Sequence, residues 1–170
     1  MAQSHRRAAR LHLIQYGYTT MEDSRQIENL IYSYAERIDT GDLEGVAALF
    51  RDAEIFSAAH EVRRTGFDEV LEMYQKSTRL YEASGTPQTK HLTTNVIVEI
   101  DKGGMEASAR SYYTVMQASE SLPLQPIISG RYRDRFRKIE NQWQFTSREM
   151  IVDLVGDLSA HLLYDASSLG

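Results

Sequence analysis

At 170 residues, 42% hydrophobic and 25% charged, the chain holds enough material for one domain with its own core. It has no cysteine, which excludes disulfides, thiolate metal sites and a cysteine nucleophile. Its net charge of -5 means that nucleic-acid binding would need a strongly segregated basic patch, and no run approaches the roughly 20 apolar residues of a membrane span.

The opening "MAQSHRRAARLHLIQYGY" is basic, its apolar run is interrupted by His12 and Gln15, and no small-residue cleavage site follows. Residues 1–20 are therefore read as a flexible basic arm on a cytoplasmic protein, residues 21–155 as the folded domain, and residues 156–170 as a tail with room for a short helix. In the domain, Ile27, Leu30, Ile31, Tyr34 and Ile38 follow the spacing of a helix with one buried stripe. "DTGD" ends it at Gly41, and Asp42 is placed to cap a second short helix carrying Leu43, Val46, Ala47, Leu49 and Phe50.

"AEIFSA" predicts a short strand, and after the polar "HEVRRTG" a third helix carries Phe67, Val70, Leu71 and Tyr74 on one side. From His91 the periodicity changes from 3.6 to 2, and four long strands follow: "HLTTNVIVEI", "MEASARSYYTVMQ", "IISGRYRDRFRKI" and "WQFTSREMIVDLV". Glycine in "DKGG" supplies the first tight turn, and the order predicts an antiparallel meander. Within "SGRYRDRFRK", Arg131, Arg133, Arg135 and Arg137 share one strand face, while Tyr132, Asp134 and Phe136 share the other. The arginines are expected outside, solvated or facing another subunit.

The order helix, helix, strand, helix, then curved antiparallel sheet resembles the cone-shaped α+β fold of the NTF2-like superfamily. The strings "IYSYAERIDTGDLEGVAALF", "KHLTTNVIVEI" and "SGRYRDRFRKIENQWQF" resemble its SnoaL-like branch, which includes scytalone dehydratase, bile acid 7α-dehydratase and polyketide cyclases; the likeness spans about residues 22–153. It is specific for fold and not for reaction, because the fold also hosts isomerases, epoxide hydrolases and the non-catalytic small subunits of ring-hydroxylating dioxygenases.

Residue by residue, the bile acid dehydratase pattern of a helix tyrosine, an aspartate five residues later and a histidine opening the first long strand is matched by Tyr34, Asp39 and His91. The acidic residue it has on the next strand aligns with Val115, and the arginine of its last strand aligns with Val152. Against scytalone dehydratase, Asp39 and His91 match again, while the second histidine and the pocket asparagine fall near Ser111 and Tyr132.

An imidazole titrates near neutrality, and a carboxylate beside it fixes its tautomer, so His91 with Asp39 would make an acid–base pair. Asp39 sits where a helix C-terminus should raise a carboxyl pKa, and it reads equally as a turn residue bonding its own backbone. His91 taken alone reads as a structural residue, and Tyr34 lies on the apolar stripe, so its ring is core whether or not its hydroxyl reaches a pocket. Strand parity adds Thr93, Asn95, Tyr113, Tyr132 and Phe136 as pocket wall or as core filling. The histidines at 5, 12, 60, 91 and 161 have no metal-ligand spacing, and neither metal nor cofactor is expected.

Two functions follow. One is a lyase (dehydratase) or isomerase acting by acid–base catalysis on a steroid-like, polyketide-like or aromatic ligand, with His91, Asp39 and Tyr34 catalytic and Asn95, Tyr113, Tyr132 and Phe136 binding. The other is a non-catalytic binding or accessory subunit on the same fold. A homo-oligomer, with a dimer favoured, is expected, with an acidic residue meeting the arginine stripe near the subunit boundary, and no nucleic-acid or membrane partner.

Overall fold

The computed structural model describes residues 2–164, and of residues 2–20 the backbone alone. Helix α1 runs from Ala2 to Asp39, so from Ala2 onward the residues expected as a flexible arm continue the first helix. Ile27, Ile31, Tyr34 and Ile38 are buried along its inner stripe. The helix stops at "TG": Gly41 takes φ +79°, and a side chain there would collide with the carbonyl oxygen of Gly85. Asp42 then caps α2 (Leu43–Leu49), its carboxylate accepting from the Gly45 N–H at 2.8 Å.

Strand β1 (Glu54–Ser57) is followed by β2 (Val62–Thr65), an exposed strand inside the segment read as a polar connection. It shows no alternation of apolar residues, because both its faces are open to water, and its pairing with β1 alone defines it. Helix α3 (Gly66–Ser77) buries Val70 and Tyr74. The four long strands are β3 (Thr89–Ile100), β4 (Glu106–Ser119), β5 (Leu122–Ile139) and β6 (Gln142–Val155). They form an antiparallel meander, and β1 joins parallel to β6, giving a six-stranded sheet of order β2-β1-β6-β5-β4-β3.

β5 starts five residues earlier than the proline-bounded reading placed it, at Leu122 rather than Ile127, and it accommodates Pro126 where the register shifts between Val115 and Met116. Further shifts lie at Thr94/Ile97 in β3 and, between β5 and β6, opposite Ser129/Gly130 and Arg135/Phe136, where β6 carries the extra residues Asp153 and Thr146. Such bulges bend a sheet. The sheet here curls, unclosed, around the three helices, and its concave face holds the core.

On the convex face Arg133, Arg135 and Arg137 are exposed and Arg131 half-buried. Carboxylates of the neighbouring strand neutralise part of the stripe: Arg131 chelates Asp153 at 2.7 and 2.8 Å, and Arg133 meets Glu149 at 3.4 Å. After β6 the chain crosses the open end of the cone instead of leaving it. Leu158, Ala160 and His161 are buried there, Leu162 bridges to Thr78, and Leu163 N–H donates to the Ser77 carbonyl at 3.0 Å. Residues 165–170 lie outside the described part of the tail.

Candidate active site

Asp39 is the last residue of α1 and His91 the third of β3, and the packing of that helix end on that strand brings them together. The His91 Nδ1 lies 2.7 Å from Asp39 Oδ1, the His91 backbone N–H donates to Oδ2 at 2.8 Å, and the Thr89 hydroxyl donates to Oδ1 at 2.7 Å. Both side chains are almost sealed from solvent, 6% and 7% exposed.

Burial pushes the Asp39 carboxyl pKa up, but the His91 ring, the His91 amide and the Thr89 hydroxyl outweigh it and hold the group below the usual carboxylate range. The raised pKa expected from the helix C-terminus is thus overturned, because three donors converge on the carboxylate. As a carboxylate, Asp39 fixes the ring proton of His91 on Nδ1 and leaves the Nε2 lone pair free.

His91 lines a cavity of about 490 Å³ between α1, α3, the concave sheet face and the tail. Tyr34, Tyr74, Tyr113 and Tyr132 also line it, with Val115, Ile128 and Met150 among the apolar surface. The Tyr34 and Tyr74 hydroxyls are 2.8 Å apart, Tyr113 stacks on Tyr132 at 4.4 Å, and the Tyr34 ring stands edge-on to the His91 ring at 6.2 Å. Burial raises the pKa of all four phenols, so near neutral pH they are hydrogen-bonding groups and not bases.

Behind these rings lies an ion pair that sequence reasoning missed. Arg148 of β6 is 0% exposed and is chelated by Asp134 of β5 through Nε and Nη2, each at 2.8 Å. Its guanidinium packs over the rings of Tyr132 and Tyr34, 4.1 and 4.4 Å from their centroids, and its Nη1 has no partner among the described residues. Burial opposes the charge, but Asp134 more than restores it, so the guanidinium stays charged behind the rings that line the cavity. The arginine aligned with Val152 is therefore absent from that position, while a buried arginine stands four residues earlier on the same strand.

The structure gathers His91, Asp39, Tyr34, Tyr113 and Tyr132 at the cavity, Asp39 behind His91. Asn95 is exposed and off the cavity: it has φ +54° and occupies the β3 bulge, which breaks the alternation that would have turned it inward. Phe136 is buried core, 4.7 Å from Phe145 and outside the cavity lining, and Thr93 does not line the cavity either. His161 does line it, and its tail segment "GDLSAHLLYD" has no periodicity that would have signalled this. Among the described residues, no three His, Asp or Glu side chains group as a metal site would require, and no helix is long and apolar enough to cross a membrane.

A cone-shaped α+β fold with an aromatic cavity and a buried His–Asp pair defines a small-molecule pocket protein. Residues 19–149 match the SnoaL-like domain family, and the chain belongs to it. Similar solved structures include a candidate scytalone dehydratase from Novosphingobium aromaticivorans, 26% identical over 83% of this chain and 91% of that one, with a TM-score of 0.66. A Mycobacterium tuberculosis protein of unknown function is 26% identical over 80% of this chain and 75% of its own, TM-score 0.65. An NTF2-like protein with a cystatin-like fold from Novosphingobium aromaticivorans, 22% identical over 86% and 92%, superposes with a TM-score of 0.70. No curated protein matches the chain.

Proposed function

We propose that the chain is a lyase (dehydratase) or isomerase that needs no cofactor and moves a proton on a ring-containing ketone or polyketide-like substrate. The observation that carries this is the 2.7 Å contact between His91 Nδ1 and a buried Asp39 carboxylate at the edge of an aromatic cavity. In this reading His91 Nε2 removes the proton beside the substrate carbonyl, Asp39 stabilises the imidazolium that forms, and Tyr34 hydrogen-bonds the carbonyl or leaving oxygen. Val115 stands where the bile acid dehydratases have an acidic residue, and in this reading His91 also returns the proton.

The size and lining support the substrate class. A chamber of about 490 Å³ falls in the range of small-molecule sites, and its four buried tyrosine rings suit a flat apolar ligand. The likeness to a candidate scytalone dehydratase points the same way. The accessory-subunit reading is disfavoured by the open chamber and the closed His91–Asp39 contact, since a scaffold has use for neither.

The test uses the full chain in deuterium oxide with 2-tetralone, a bicyclic aromatic ketone, and follows loss of the protons beside its carbonyl by NMR. The wild type is expected to accelerate exchange, and His91→Ala to lose at least about a hundredfold of it. Equal exchange by both proteins would remove the base from His91.

A further inference from the structure

The cavity contains a second imidazole that the proposed mechanism leaves unused. His161 comes from the tail, is 8% exposed and lines the chamber that His91 lines. Its backbone is held on both sides: the Tyr81 hydroxyl donates to the Ala160 carbonyl at 2.8 Å, Gln117 Nε2 to the same oxygen at 3.3 Å, the Arg79 N–H to the His161 carbonyl at 2.8 Å, and the Arg79 side chain to the Leu162 carbonyl at 3.2 Å. Such anchoring from four groups fixes where the ring stands. The ring itself is not committed to any described residue: Nδ1 is buried without a partner, and Nε2 makes no hydrogen bond among the described residues.

The tautomer follows from that asymmetry. A neutral imidazole has one N–H and one lone pair, and an N–H buried with no acceptor is rarer and costlier than a bare lone pair. The proton therefore belongs on Nε2, the polar edge available to an occupant of the cavity. Burial above all, reinforced whenever His91 is protonated and opposed by Asp39, holds the His161 pKa down to about 4, so the ring is neutral at physiological pH. His91 and His161 then present opposite hydrogen-bonding faces: a lone pair on one, an N–H on the other.

We propose that His161 is the neutral electrophile of the site, its Nε2–H hydrogen-bonding the substrate's carbonyl oxygen while His91 takes the neighbouring carbon-bound proton; this rests on the proton-transfer reading above. As the C–H bond breaks, its electron pair becomes the new C=C bond, and the carbonyl π pair moves to oxygen. The negative charge that grows there is met by a donor that keeps its own proton. Return of the proton from His91 reverses the electron flow. The Tyr34 hydroxyl is shared with Tyr74, so His161 adds a donor with no prior partner.

Two substitutions separate donation from packing. His161→Phe keeps a ring but removes the N–H, whereas His161→Gln restores a neutral N–H near the Nε2 position and cannot relay protons. With 2-tetralone exchange as the assay, the phenylalanine variant is expected to lose about a hundredfold, the scale of one oxyanion donor, and the glutamine variant to stay within about tenfold of wild type. In parallel, 2-naphthol, an enol-shaped mimic, is titrated into the full-length wild type while the imidazole nitrogens are followed by long-range ¹H–¹⁵N spectra. The His161 Nε2 signal should move on binding. Wild-type exchange by His161→Phe, equal loss in both variants, or a His161 signal indifferent to naphthol would each overturn the assignment. If His91→Ala abolishes exchange in the same series, the proton-transfer reading survives that failure; if His91→Ala exchanges normally, it is that reading which fails.

Discussion

Asp39 receives three hydrogen bonds, from the His91 ring, the His91 amide and the Thr89 hydroxyl. Removing its carboxylate leaves two buried donors and an imidazole without an acceptor. Asp39→Ala is therefore expected to lower stability by about 3 kcal/mol in denaturant melts, besides impairing any proton transfer. The sign of its pH effect follows from its depressed pKa: the carboxylate's stabilising share is present above about 4, the ordinary aspartate range, and is lost as pH falls through the lower native value. His91, Asp39 and Tyr34 were legible because each sits on an unbroken stretch of helix or strand, where spacing gives direction. Asn95 and Arg148 were not legible, because both lie at or beyond bulges. In β6 the buried set changes from Trp143 and Phe145 to Arg148 where its pairing with β5 shifts register opposite Arg135 and Phe136, so strict alternation points Arg148 outward. A signal for the first bulge was present in the sequence, since asparagine is the non-glycine residue most at ease at positive φ.

Two short elements position the site from its edges. The turn after α1 needs Gly41, whose φ of +79° and approach to Gly85 leave no room for a side chain. Gly41→Ala should cost more than about 1 kcal/mol, seen as a lowered Tm, and displace the helix end that carries Asp39. The tail was legible only as a segment that follows the last strand; its docking depends on side chains such as Tyr81 and Gln117 that are distant in sequence. It brings a pH dependence of its own. The unfolded His161 titrates near 6.5 and the native one at about 4, so between these values only the unfolded chain binds the extra proton and stability falls as pH falls. The groups facing the ring electrostatically are His91 on β3 and Asp39 on α1, with Arg64, Glu72 and Lys76 lining the same cavity. Over that window the loss is on the order of 3 kcal/mol, and His161→Phe should flatten it in urea melts taken at stepped pH.

At the scale of the whole molecule, the cone has a wet outer face and an inner face with an ion pair at its centre. The order of elements and the alternation of four strands were enough to indicate the architecture, because antiparallel meanders place sequence neighbours side by side. The Asp134–Arg148 pair ties the two central strands beneath the pocket, and breaking a buried pair strands a charge. Asp134→Ala should destabilise the chain by roughly 3–5 kcal/mol, whereas an Asp134→Leu, Arg148→Met double variant should recover much of that loss in thermal melts. The proposed proton transfer stands on His91, held by Asp39, as the base of an aromatic pocket. Chemical rescue tests it most directly: deuterium exchange into 2-tetralone by His91→Ala, measured with increasing imidazole in solution. The expected result is a rate at least about a hundredfold below wild type that rises in proportion to the neutral imidazole added. A variant that exchanges at the wild-type rate with no imidazole present would contradict the claim.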